Sequence, residues 1–294
     1  MCRNRMMWPL LIAVAVMVSA CAGREVLPPP KPAKVAIVLG AGASKGFAHI
    51  GVLKVLEAQK IPIHMVVGTS VGSFVGSLYA YGFDAMTLHT IALSLEKDAV
   101  IDLTFPDNGF IKGEKLRDYV NWSLRNTPIE KLRIPFYAVA TNIQTGEEVV
   151  FGTGNTGMAV QASCSVPGIF QPAKFSGSTY VDGGVVSPVA VDVARRYGAD
   201  VVIAVDISAG VDHMVPATTV ETILKSVDIM YEKMSLPQIG RADVVIRPRV
   251  AGVGSADFSK RHEAILEGEK AALEALPRLQ AVINKLRDEG RLPR

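Results

Sequence analysis

Apolar residues follow two alternating rhythms along most of this chain. Continuous apolar runs at 34–39 (KVAIVL), 63–67 (IHMVV) and 200–206 (DVVIAVD) have the length and β-branched content of strands buried on both faces. Between them, apolar positions recur at three- and four-residue spacing. Over 47–58 these are Ile50, Val52, Leu53, Val55 and Leu56, and a small-residue stretch at 71–81 has the same character. Further helices are predicted at 85–95, 112–124, 156–163, 189–197 and 220–234, and at 262–286 with a break at Pro277. Strands are expected at 135–141 and 147–151, joined by a turn at Gln144-Thr145-Gly146, and at 179–181 and 243–247. Strand alternating with helix predicts an α/β fold of three layers, a mostly parallel sheet covered on both faces. There is no internal repeat and no second linker, so 34–294 reads as one domain.

The first twenty residues break this rhythm. Arg3 and Arg5 precede an apolar stretch from Trp8 to Val18, too short to span a bilayer comfortably. Val18-Ser19-Ala20-Cys21 follows and resembles a bacterial lipobox, in which the cysteine is lipidated and becomes the first mature residue. The alternative is an ordinary secretory signal with Cys21 incidental. Ala22, in place of the aspartate associated with inner-membrane retention, points to the outer membrane, facing the periplasm. Residues 24–32 (REVLPPPKP) read as an extended tether, so 1–20 is expected to be a signal peptide and 21–33 a lipidated cysteine and Pro-rich linker. The formal charge is +3, from 31 basic and 28 acidic side chains, and two of the basic ones leave with the leader. A nearly neutral globule without a basic stripe excludes a nucleic-acid partner. Cys164 is then the remaining thiol, expected to be a small buried hydrophobe.

The candidate chemistry lies at strand ends. Gly68-Thr69-Ser70-Val71-Gly72 sits between a predicted strand and a predicted helix. A nucleophilic serine needs a sharp turn with no bulky neighbour, and the helix it opens aims amide dipoles at the reacting centre. The bland alternative is a serine that only caps the helix. The loop Gly40-Ala41-Gly42-Ala43-Ser44-Lys45-Gly46 offers backbone N–H groups at a helix start. It could be an oxyanion hole or a dinucleotide phosphate loop. The second is disfavoured, because no tyrosine has a lysine four residues on and the second strand does not end in an acidic residue. Asp182-Gly183-Gly184 is a third strand-end loop, in isolation readable as a plain turn. In a parallel sheet, loops after strand C-termini gather at one edge, so the three can meet. A Ser–His–Asp triad would have to draw on His213 or His262, both in polar surroundings, while His49 and His64 read as packing or capping residues. Residues 102–113, with Phe105 and Phe110, could form an apolar flap or a packed connection.

Residues 35–57, 67–76, 162–170 (ASCSVPGIF) and 180–190 (YVDGGVVSPVA) together resemble the bacterial patatin-like phospholipases, in matching order and spacing. The resemblance implies a Ser–Asp dyad, with Ser70 the nucleophile and Asp182 accepting its proton directly. It implies an oxyanion hole in the Gly40–Gly46 loop, with the amides of Gly42 and Ala43 as donors, and catalysis without metal or other cofactor. Lys45 would order the loop, with binding of lipid head groups the lesser alternative. Gly68, Gly72, Gly183 and Gly184 are the motif glycines. The expected substrate is an acyl ester of a phospholipid or lysophospholipid. A non-lipid esterase or thioesterase, or a non-catalytic lipoprotein module, are the alternatives. Ala41 and Ala43 depart from the consecutive glycines usual in that family, and positive φ is costly at alanine. Asn142 stands where similar sequences often carry aspartate and is read as a turn residue.

Overall fold

Side chains of a strand alternate between its two faces, and here both faces are buried. In the computed structural model, which describes residues 30–105, 107–208, 210 and 215–293, β1 (Val35–Leu39) sends Val35, Ile37 and Leu39 into one apolar layer and Ala36 and Val38 into the other. The elements then follow in order as α1 (Phe47–Ala58), β2 (Met65–Thr69), α2 (Val71–Tyr81), α3 (Ala85–Ser94), α4 (Lys97–Val100) and α5 (Glu114–Ser123). Next come β3 (Phe136–Asn142), β4 (Glu148–Phe151), α6 (Thr156–Ser163), β5 (Ala173–Phe175), β6 (Ser178–Asp182) and α7 (Val191–Arg196). The last are β7 (Val201–Val205), α8 (Thr219–Ile239), β8 (Val244–Ile246) and α9 (Arg261–Asp288). The predicted lipobox and most of the tether fall outside the described residues.

The eight-stranded sheet runs β5-β6-β3-β2-β1-β7-β8, with β4 also paired to β3. The β3-β2-β1-β7-β8 portion is parallel, while β4, β5 and β6 pair antiparallel. Helices cover both faces: α1, α3 and α9 contribute to the larger core, and α7 with the end of α8 to the smaller. The three-layer α/β prediction therefore stands.

Two helices differ from the sequence expectation. The helix expected to break at Pro277 continues through it to Asp288, and α8 runs on through Pro237 to Ile239. Pro277 is exposed and so is Leu273, the residue four before it, leaving the freed carbonyl to water. The buried face of α9 meanwhile packs closely on α1: a Cβ on Gly268 would lie 2.0 Å from the Ala48 carbonyl oxygen. Packing outweighs the local propensity.

Candidate active site

Consecutive residues of β3 bring Ser70 and Asp182 together. Thr69, the last residue of β2, pairs with Val139, and Asp182, the last residue of β6, pairs with Ala140. A strand has two edges, and β4 occupies one of them from Ala138 to Thr141. The parallel β2 and the antiparallel β6 therefore share the other, arriving from opposite ends and meeting where both stop. Asp182 thus reaches the site on an antiparallel strand, a correction to the expectation that all three loops would follow parallel strands. At Gly183 the chain turns so tightly that a Cβ would stand 2.2 Å from the Val139 carbonyl oxygen.

Ser70 occupies φ 54°, ψ −130°, between β2 and α2. A side chain at positive φ is strained by about 1–2 kcal/mol and is kept only where its surroundings over-determine it. Those surroundings are visible. The Ser70 N–H donates to Ser163 Oγ (2.9 Å), which itself donates to the Val139 carbonyl (2.6 Å). The Ser70 carbonyl accepts from Ser73 N–H (2.8 Å) and Ser73 Oγ (2.7 Å). Both motif glycines are contact positions. A Cβ on Gly68 would meet the Gly72 carbonyl oxygen at 2.5 Å, and one on Gly72 would meet that of Leu39 at 2.0 Å. Gly72 thus lets the start of α2 sit against the end of β1, where the Gly40 loop begins.

In that loop the Gly40 and Ala41 amides donate to the carbonyls of Val205 (3.0 Å) and Pro188 (2.9 Å), and those of Ser44 and Lys45 to Ser255 (3.2 Å) and Gly42 (3.0 Å). The Gly42 and Ala43 amides, by contrast, have no acceptor among the described residues. Ala43 adopts φ 48°, so the cost foreseen for alanine is present at this position. Lys45 is buried and paired with Asp228 on α8 (2.9 Å), which also accepts from Ser255 Oγ (2.8 Å); it orders the loop instead of facing solvent. His49 Nε2 donates to the Gly40 carbonyl (2.8 Å), and burial lowers its pKa to about 4, so the ring is neutral. Gly46 carries no side chain because Val71 packs against it, 2.2 Å from a Cβ placed there.

Asp182 is fully buried. Its Oδ1 accepts from the Gly184 N–H at 2.7 Å. Burial pushes its pKa up from 3.8 to about 6, against the Ser70 hydroxyl, the Gly184 amide and the Tyr231 hydroxyl, each of which favours the anion. A carboxylate with that pKa, facing a serine hydroxyl, can accept its proton near neutral pH.

Ser70 stands at one wall of an apolar cavity of about 190 Å³, lined further by Val71, Phe74, Leu88, Ala92, Val166 and Phe258, among others. An apolar cavity of about 150 Å³ already admits benzene. The 102–113 segment is tied down near its ends, where Asp102 accepts from the amides of Gly113 (2.7 Å) and Glu114 (2.9 Å) and Phe110 N–H donates to the Ile169 carbonyl (2.8 Å), while Leu103 and Phe105 between them are exposed.

Other expectations can be placed as well. His64 Nδ1 accepts from Val35 N–H (3.1 Å), and His262 is exposed, its ring against His89. His213 lies outside the described residues. No described histidine bonds Ser70 or Asp182. Asn142 Oδ1 accepts from Gln144 N–H (2.9 Å), as a turn residue does. Cys164 is buried and its thiol pKa is driven far up by desolvation. Sequence reasoning missed Ser163, Asp228, Tyr231 and Ser255. Ser163 lies inside the 162–170 motif, and Asp228 and Tyr231 share a helix face, but nothing local says what that face meets.

Comparisons with known proteins bear on the family and the fold. Two curated relatives are fungal lysophospholipases NTE1. That of Pyricularia oryzae is 28% identical over 88% of this chain and 19% of its own length. That of Coccidioides immitis is 30% identical over 88% of this chain and 18% of its own. The chain thus spans less than a fifth of the relatives it matches. Among solved structures, VipD from Legionella pneumophila shares the fold, with a TM-score of 0.56 at 12% identity over 84% of this chain and 67% of that one. The patatin-like phospholipase profile matches residues 37–195, more than half the chain, and the protein belongs to that family.

Proposed function

We propose that this chain is a serine acyl hydrolase that cleaves the acyl ester of lysophospholipids or phospholipids. The observation that carries the reading is a buried carboxyl, Asp182, facing the Ser70 hydroxyl at the wall of an apolar cavity. Ser70 Oγ attacks the ester carbonyl and its proton passes to Asp182. The free amides of Gly42 and Ala43 take up the charge that develops on the carbonyl oxygen. The alcohol leaves with the proton held by Asp182, giving an acyl-serine. Water then attacks that ester, with Asp182 again as base. The acyl chain lies in the cavity, where each buried methylene contributes about 0.8 kcal/mol.

The lysophospholipase relatives and the family support a lipid substrate. The lipobox-like sequence at 18–21 supports an envelope lipoprotein tethered through Cys21, which would hold the site beside lipid.

Fluorophosphonate labelling, with fatty-acid release from lysophosphatidylcholine beside it, tests the catalytic reading. Wild type should label and hydrolyse, Ser70→Ala should do neither, and Asp182→Asn should do both slowly. A folded wild type that neither labels nor releases fatty acid rejects it. Labelling with turnover only of short water-soluble esters or thioesters moves the substrate class to non-lipid esters. Radiolabelled palmitate incorporated by wild type and lost in Cys21→Ser tests the anchor.

A further inference from the structure

Among the described residues, two buried oxygens at this site lack a hydrogen-bond partner: Oδ2 of Asp182 and the hydroxyl of Tyr231. Native proteins rarely leave such groups unmatched, and each one calls for an explanation. The two lie on either side of one residue: the Gly184 amide binds Asp182 Oδ1, and the Tyr231 phenol packs against Gly184. Tyr231 sits on α8, 3% exposed, with Ala41, Val166, Ile169 and Val227 in the same apolar cluster. Its ring lies over the turn after Asp182. A Cβ on Gly184 would stand 2.3 Å from Tyr231 Cζ and 2.6 Å from its hydroxyl oxygen. Glycine at 184 is therefore what admits the phenol to the Asp182 loop.

Tyr231 belongs to a contact stripe at 228, 231, 235 and 238, the spacing of one helix face. Asp228 holds Lys45 of the Gly40 loop (2.9 Å), and Ser235 Oγ bonds Asp206 at the end of β7 (3.3 Å). Gln238 bonds the Val189 N–H (3.0 Å) and the Val186 carbonyl (3.2 Å) in the segment following Asp182. One face of α8 thus touches the Gly40 loop, the end of β7 and the segment after Asp182.

We propose that Tyr231 is a positioning residue for Asp182, its hydroxyl donating to Oδ2 when the carboxyl is ionised. The Gly184 amide holds one oxygen and Tyr231 the other, so the carboxylate plane is set toward Ser70. Bonds to a charged acceptor are the short, strong ones, and this one tightens with ionisation. The phenol itself stays protonated, since burial and the Asp182 charge both raise its pKa. The other titratable groups near the pair are Asp228, which faces Tyr231 while paired with Lys45, and Cys164, whose thiol feels the Asp182 charge. Neither donates to Oδ2.

The inference rests on the roles given above to Ser70 and Asp182, so wild-type ester hydrolysis is read first, and its absence rejects those roles. With wild type active, Tyr231→Phe is assayed on lysophosphatidylcholine across the acid-to-neutral range. Losing a donor that favours the anion raises the pKa of the base. The acid limb of kcat/KM should move up by about one pH unit and kcat fall about tenfold, with KM nearly unchanged. Replacement of Tyr231 by 3-fluorotyrosine keeps the shape, strengthens the donor and should move the limb down. A folded Tyr231→Phe protein with wild-type kcat and acid limb overturns the proposal. Should that variant fail to fold, the fluorotyrosine protein decides, and an unmoved limb there overturns it.

Discussion

Asp182→Asn removes the titration of a buried carboxyl while keeping an oxygen for the Gly184 amide. Folding moves that carboxyl from 3.8 to about 6, chiefly by burial. An acid whose pKa is raised on folding binds its proton more tightly in the native state. The native chain then holds more protons than the unfolded one between the two values, so stability falls as pH rises through that window and stays lower above it. A displacement of about two pH units is worth about 3 kcal/mol, a sizeable part of the 5–15 kcal/mol of a typical domain. The asparagine variant lacks this loss. Urea unfolding of both proteins below and above the window, at about pH 3.5 and about pH 7.5, isolates it, because other titrations cancel in the difference. The variant should gain about 3 kcal/mol relative to wild type from the acid to the neutral measurement. The same carboxyl must be ionised to take the Ser70 proton, so wild-type kcat/KM should decline below about pH 6. Parallel stability curves for the two proteins would refute the burial argument, and an acid limb near about pH 4 would refute it independently.

Three further outcomes are expected. Ala43→Gly relieves a positive φ without removing the amide, so melting experiments should show a gain of about 1 kcal/mol with activity retained; an unchanged Tm counts against strain at this loop. Ser163→Ala strips the hydroxyl that bridges Ser70 N–H and the Val139 carbonyl. It should cost about 2 kcal/mol in urea unfolding and lower kcat, and full activity would show that the elbow holds without it. Ala92→Trp places a large ring in the cavity wall. Release of long-chain fatty acids should drop at least about tenfold while short-chain esters remain substrates, and equal losses for both would place the acyl chain elsewhere.

Much of the site could be read from local spacing, because its chemistry depends on local backbone. The G-x-S-x-G elbow is a strand, a turn and a helix in one continuous stretch, and the helix over 71–81 is found within those bounds. The Gly-rich loop is likewise a strand end followed by a helical start. Pro277 was misread because proline propensity is local, whereas its cost depends on whether the freed carbonyl faces water. Tyr231 and Asp228 were missed because nothing in residues 219–239 says which loops that face will touch.

The sequence by itself determined the α/β class, the serine elbow and the amide-bearing loop, since hydrophobic period and glycine placement are properties of short segments; Asp182, locally a plain turn, became a candidate only through the family resemblance. Only the tertiary structure decided that β6 runs antiparallel and meets β2 end to end on β3. It alone decided that Asp182 is fully buried, with its pKa pushed up to about 6, and that one face of α8 holds the Gly40 loop and the segment after Asp182. Pairing register and desolvation arise from contacts between residues far apart in the chain, and no local pattern encodes them.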